Sequence, residues 1–128
     1  MDVSMPINCV VPSLDGPVLV VLAGTTGPVG LAEIHRRTGR GSKSGILHVL
    51  RRMVDSGLIH EVPGGFMLNR EHIAATAVEM LADMHGELVR RIRSLVDTWG
   101  ADVALVGLFG SAARRDGNTF SDIDVLIV

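Results

Sequence analysis

The sequence predicts a mixed α/β (α+β) chain in two parts. Three short helices closed by a hairpin come first, then a long helix that leads into two apolar strands. Three observations carry this reading. Apolar residues recur at helical spacing through the first half. "LIHEVPGGFMLN" sets two short apolar runs around Pro-Gly-Gly. "ADVALVGLF" and "DIDVLIV" are strand-like runs either side of a Gly-Ser turn. With 47 % apolar residues in 128, the composition argues for a folded, core-forming chain and against disorder. One tryptophan and three phenylalanines leave that core to Val, Leu, Ile, Met and Ala.

The elements follow in order. Residues 1–13 are a mixed lead-in, with "INCVV" able to form a short strand. "LDGPVLVVLAG" reads as a helix with Asp15 as N-cap, Pro17 in the first turn and Gly24 at its end. "LAEIHRRTG" is a second helix, with Leu31 and Ile34 inward and Gly39 as C-terminal cap. After the turn "RGSKSG", Ser42 caps a third helix whose Ile46, Leu50, Met53 and Val54 share one face; Gly57 ends it. The hairpin has glycines that can take positive φ in its turn. A single helix is then expected over roughly Glu71 to Trp99. Its apolar stripe is Ile73, Ala77, Leu81, Met84, Leu88, Ile92, Leu95 and Trp99, and Gly86 inside it costs about 1 kcal/mol relative to Ala. So long a stripe needs a partner surface, either its own domains or a second copy of the chain. "ADVALVGLF" is expected as a buried strand, and "DVLIV" as an apolar edge strand that needs covering by, or pairing with, another surface. The expected domains are 1–70, a linking helix over 71–100, and 101–128.

Charge and cysteine usage narrow the function classes. Residues 31–70 hold seven Arg or Lys against three acids, a local +4; the rest of the chain carries −6. A basic segment on an acidic chain suggests an anionic partner, nucleic acid first. Cys9 is the only cysteine, which excludes an internal disulfide. No basic residue precedes the N-terminal apolar stretch and no run reaches about 18 apolar residues, so a soluble, cytoplasmic protein is expected, with no membrane partner. "GRGSKSG" lacks the spacing of a phosphate-cradling P-loop and follows no buried strand.

Over residues 16–70, "LAEIHRRTGRGSKSGILHVLRRMVDSGLIHEVPGGFMLN" resembles the winged helix-turn-helix of MarR-type bacterial regulators, most tellingly in "VLRRMVDSGLIHEVPGGFMLN". The resemblance implies DNA binding. The third helix would enter the major groove, with Arg40, Lys43, Ser44, His48, Arg51 and Arg52 as the DNA-facing residues. The plainer reading is that the arginines solvate an exposed face.

In the C-terminal stretch "LFGSAARRDGNTFSDIDVLIV", a strand runs into Gly110-Ser111, where backbone N–H groups and a hydroxyl can meet phosphate, and a short helix starts near Ala112. With ten residues between, Ser111 is followed by Asp122 and Asp124, which in a strand share a face. Two carboxylates side by side repel unless a hard cation lies between them and a substrate phosphate, and Mg²⁺ takes such oxygen ligands at about 2.0–2.1 Å.

These residues resemble the DNA polymerase β-type nucleotidyltransferase superfamily, particularly its small MNT-like members. The shared pattern is Phe109-Gly110-Ser111, ten residues, then Asp122-Ile123-Asp124, with Ser121 before the first aspartate and "GSAAR" at the turn. Arg115 stands where many relatives have glycine. The resemblance implies that Gly110, Ser111 and Arg114 bind the triphosphate of an NTP. It implies that Asp122 and Asp124 are catalytic and bind Mg²⁺, and that NMP passes to an acceptor hydroxyl. It also implies a third carboxylate on a later strand, which the sequence to Val128 does not include. Asp102, Glu79, Asp83 and Glu87 are poorly placed to substitute. The chain is accordingly expected to be the first part of a nucleotidyltransferase domain, with little or no transfer activity by itself. The alternative is a MarR-like transcriptional regulator whose C-terminal piece serves dimerisation or ligand sensing.

Overall fold

The computed structural model describes residues 1–100, 102–114, 120 and 122–128. They form a mixed helix and antiparallel-strand architecture in two compact units, Val11–Ala82 and Met1–Val10 together with Asp83–Val128.

The first unit contains α1 (Asp15–Ala23), α2 (Leu31–Thr38), α3 (Lys43–Asp55), β1 (Ile59–Val62), β2 (Gly65–Leu68) and α4 (Ala75–Ala82). α1 is apolar on every side and therefore lies at the centre, with Val18 and Leu22 completely buried. Ile34 of α2, Ile46, Leu50 and Met53 of α3, Ile59, Phe66 and Leu68 of the hairpin, and Val78 of α4 close around it. Each such side chain contributes about 1.5–3 kcal/mol relative to leaving it exposed.

Local chemistry sets the helix ends. Ser42 accepts a hydrogen bond from the Gly45 N–H at 3.0 Å and so caps α3 as its sequence position suggests. Gly39 ends α2 in the left-handed region at φ 69°. Asp15 is not a cap. Leu14 holds the cap position of α1 without a side-chain hydrogen bond, and the Asp15 carboxylate instead takes the Ser13 hydroxyl and Arg52. β1 and β2 pair antiparallel from Ile59↔Leu68 to Val62↔Gly65, leaving Pro63-Gly64 as the turn. Val29, between α1 and α2, joins this hairpin through a two-way backbone bridge with Phe66 at 2.8 and 2.9 Å. Gly65 makes the bridge possible: its φ is 133°, and a Cβ there would lie 2.7 Å from the Gly30 nitrogen and nearer still to the Val29 carbonyl.

The expected single helix over 71–99 is two helices, α4 and α5 (Met84–Asp97), interrupted at Asp83. Asp83 sits at φ −91°, ψ 15°, and its carboxylate lies where a side chain on Gly86 would be. Arg90 holds the same carboxylate at 2.9 Å. Aspartate competes for local hydrogen bonds in this way and favours helix starts over helix interiors. At the other end, residues 71–74 are not helical. His72 accepts the Ala74 N–H, and Ile73 is 97 % exposed, so it belongs to no buried stripe.

The second unit contains a 3-10 turn (Pro6–Cys9), α5, β3 (Val106–Phe109), α6 (Gly110–Arg114) and β4 (Asp124–Ile127). The "INCVV" segment is thus a helical turn rather than a strand, and it buries Pro6 and Ile7. β3 and β4 pair antiparallel from Val106↔Ile127 to Phe109↔Asp124. β3 is half-buried and β4 mostly exposed, against the expected buried strand, because these two strands make a two-stranded sheet with α5 beside β3. A cavity of about 380 Å³ lies between α5 and β3, lined mainly by Val89, Ile92, Val96, Val106 and Leu108. Among the described residues, no helix is long and apolar enough to cross a membrane.

Candidate nucleotide and metal site

The register of the β3–β4 pair brings the two halves of the C-terminal motif together. Phe109 stands opposite Asp124, and the chain turns into α6 at the next residue, Gly110. Gly110 has φ 73°, a conformation that L side chains rarely adopt. The Asp124 carboxylate occupies the space over it, with Cγ 3.2 Å from where a Cβ would be. Glycine is therefore required here twice, for its backbone angle and for the approach of the carboxylate. Ser111 follows in the first turn of α6, half-buried.

Asp122 departs from expectation. β4 begins at Asp124, so Asp122 lies two residues ahead of the strand, exposed, and strand alternation does not align the two side chains. Arg114 ends α6 on the surface. Arg115 and Ser121 lie outside the described residues. Asp102 precedes β3 at the far end of the ladder, since Leu105 pairs with Val128 and Phe109 with Asp124.

Divalent-metal chemistry fits part of this arrangement. Asp122 and Asp124 offer hard oxygen donors, and neither has a hydrogen-bonding or ionic partner among the described residues. The space above Gly110 lets one of them stand directly beside the backbone turn. Among the described residues no group of three or more metal-ligating side chains forms, and the candidate set there is the two carboxylates. Mg²⁺ accepts that number, because it usually keeps several waters and takes substrate phosphate oxygens for the remaining positions. What sequence spacing could not show is Phe109, half-exposed and directly across the strands from Asp124.

In the first unit, the residues expected to face DNA separate into two groups. Lys43, Ser44, His48 and Arg51 are exposed on α3, with Ser44 touching the Ser42 hydroxyl at 3.1 Å. Neither Lys43 nor Arg51 has a partner among the described residues. Arg40 and Arg52, by contrast, are engaged internally. Arg40 donates to the carbonyls of Pro12 and Ser13 at 3.0 and 2.9 Å, and Arg52 pairs with Asp15. Burial pushes the Asp15 carboxyl up, but the hydrogen bonds from Arg52 and Ser13 outweigh it and hold the group below its usual range.

The rest of the basic segment is similarly occupied. Arg36 and Arg37 both bond Glu33, whose carboxyl is held down to about 2 by the Arg36 hydrogen bond and then that of Arg37. Arg70 pairs with Glu79 and donates to the carbonyls of Ala23 and Thr25 at 3.2 and 2.9 Å, closing the end of α1. The local positive charge read from composition is therefore largely spent on intramolecular contacts. Composition could not reveal this, because the partners Asp15, Glu79 and the carbonyls lie outside the segment or on the backbone.

No curated protein and no solved structure gives a significant match to this chain. A family model for the nucleotidyltransferase domain matches residues 87–128, the C-terminal third of the chain, taking in most of α5 together with β3, α6 and β4.

Proposed function

We propose that Gly110, Ser111, Asp122 and Asp124 form the phosphate and metal end of a Mg²⁺-dependent nucleotidyltransferase site, and that residues 1–70 contain a winged helix-turn-helix that brings it to DNA. In a complete domain of this type the reaction is transfer of a nucleoside monophosphate from an NTP to an acceptor hydroxyl, with release of pyrophosphate; these residues alone are expected to bind NTP and Mg²⁺ with little or no transfer. The observation that carries this is the Asp124 carboxylate standing in the space over Gly110. An ordinary strand-turn-strand unit has no reason to combine a positive-φ glycine with an unpaired carboxylate packed on it.

Asp122 and Asp124 would hold Mg²⁺, which when bound neutralises phosphate charge and polarises the phosphoryl group. The chain's own contribution is positional. The Gly110 turn lets the phosphates approach the backbone, the Ser111 hydroxyl donates to a phosphate oxygen, and Arg114 adds a cation at the end of α6. In the first unit, the order of three helices and a hairpin bridged by Val29 supports the winged reading, and Lys43, Ser44, His48 and Arg51 form the face presented to DNA.

Calorimetric titration of the chain with an NTP and Mg²⁺ tests the site. Binding is expected, with loss in Asp124→Asn; equal binding by that variant overturns the assignment. A regulator with a C-terminal dimerisation piece is the second reading, favoured by the exposure of Leu126, Ile127 and Val128. It requires no nucleotide binding.

A further inference from the structure

We propose that the Pro12–Asp15 segment is a built-in competitor for duplex DNA, holding Arg40 and Arg52 in internal contacts that nucleic-acid phosphates displace. The inference rests on the reading of α3 as a DNA-facing helix. Arg40 leaves the α2–α3 turn and Arg52 the last turn of α3, and both end on the same short stretch of chain. Arg40 reaches the Pro12 and Ser13 carbonyls, and Arg52 reaches Asp15. The Ser13 hydroxyl, 2.8 Å from the other Asp15 oxygen, fixes the carboxylate toward the arginine. Lys43 and Arg51 on the same helix have no such partner among the described residues.

The contact is of a strength that a phosphate can replace. The Arg52 side chain is 57 % exposed against 20 % for Asp15, so salt and phosphate reach the pair from the guanidinium side. Arginine and phosphate make a planar, two-point contact that a single carboxylate oxygen does not match. On a duplex, Arg52 would exchange Asp15 for phosphate, and the negative charge of Asp15 would remain as an opposing term. The segment thus lowers affinity for non-specific duplex while leaving Lys43, Ser44, His48 and Arg51 available.

The test is a salt titration of binding to a short mixed-sequence duplex DNA, using the full chain, Asp15→Asn, Arg52→Gln, Arg51→Gln and the double variant Asp15→Asn with Arg52→Gln. In Asp15→Asn the affinity is expected to rise severalfold with the slope of log K against log salt unchanged, because Arg52 meets phosphate in both proteins and only its competitor is lost. That gain is expected to vanish in the double variant. Should Asp15→Asn fail to fold, Arg52→Gln in the otherwise native chain still decides. It is expected to lose less affinity than Arg51→Gln, and an equal or larger loss overturns the proposal. A folded Asp15→Asn that binds no more tightly than the native chain also overturns it, while native binding itself stands. Absence of duplex binding by both the native chain and Asp15→Asn removes the DNA reading and this inference with it.

Discussion

Asp124 and Gly110 share one small volume: the carboxylate of the first lies where the second would carry a side chain. Gly110→Ala must therefore meet two penalties. A non-glycine residue in the left-handed region costs roughly 1–2 kcal/mol, and the Asp124 carboxylate has to move. The expected result is at least a roughly tenfold weaker NTP·Mg²⁺ affinity, or about 1.4 kcal/mol. Because both residues act through one contact, Gly110→Ala combined with Asp124→Asn should be little worse than the more damaging single change. Calorimetry on the three variants checks this, and fully additive losses would show that the two residues act separately.

Gly65 plays the corresponding part in the first unit, where the Val29 backbone crosses against it. Gly65→Ala is expected to cost about 1–3 kcal/mol from backbone strain alone, with the bridge to Phe66 lost as well. Chemical denaturation should show the drop, and faster amide exchange at Val29 and Phe66 should accompany it.

Ser42 caps α3, the helix that carries the proposed DNA face. Ser42→Ala should lower stability by about 1 kcal/mol, which for a unit of this size is about 4–8 °C in Tm. Nucleotide binding should be unaffected, since the cap lies in the other unit.

Glu33 gives a pH dependence of defined sign. Its folded-state carboxyl is depressed from 4.5 to about 2 by Arg36 and then Arg37. A depressed carboxyl favours the folded chain while ionised. The contribution is complete above the unfolded value, declines as pH falls, and is gone once pH drops through about 2. The Tm advantage of the native chain over Glu33→Gln is therefore expected to shrink across that window. It should also shrink with added salt, because both arginines are exposed. An advantage that persists at the acid end would assign the effect to packing.

The order of elements was legible in the sequence because it depends on local chemistry. The capping of α3 by Ser42, the end of α2 at Gly39 and the Pro63-Gly64 turn each follow from what one or two residues can do with their own backbone. The Gly-Ser turn and the aspartates were legible for the same reason, as spacing along one segment. Three features were decided only in three dimensions. A stripe of apolar residues could not show that Asp83 would fold onto Gly86 and split the helix. Strand alternation could not show that β4 begins at Asp124 and leaves Asp122 outside it.

A count of charges could not show that Arg40, Arg52 and Arg70 are engaged with Pro12, Ser13, Asp15, Ala23, Thr25 and Glu79. Sequence thus determined which groups this protein has and the helices and turns they favour. The tertiary structure decided which charges and carboxylates remain available, because pairing depends on distances between residues far apart in the chain, and local propensity carries no information about them.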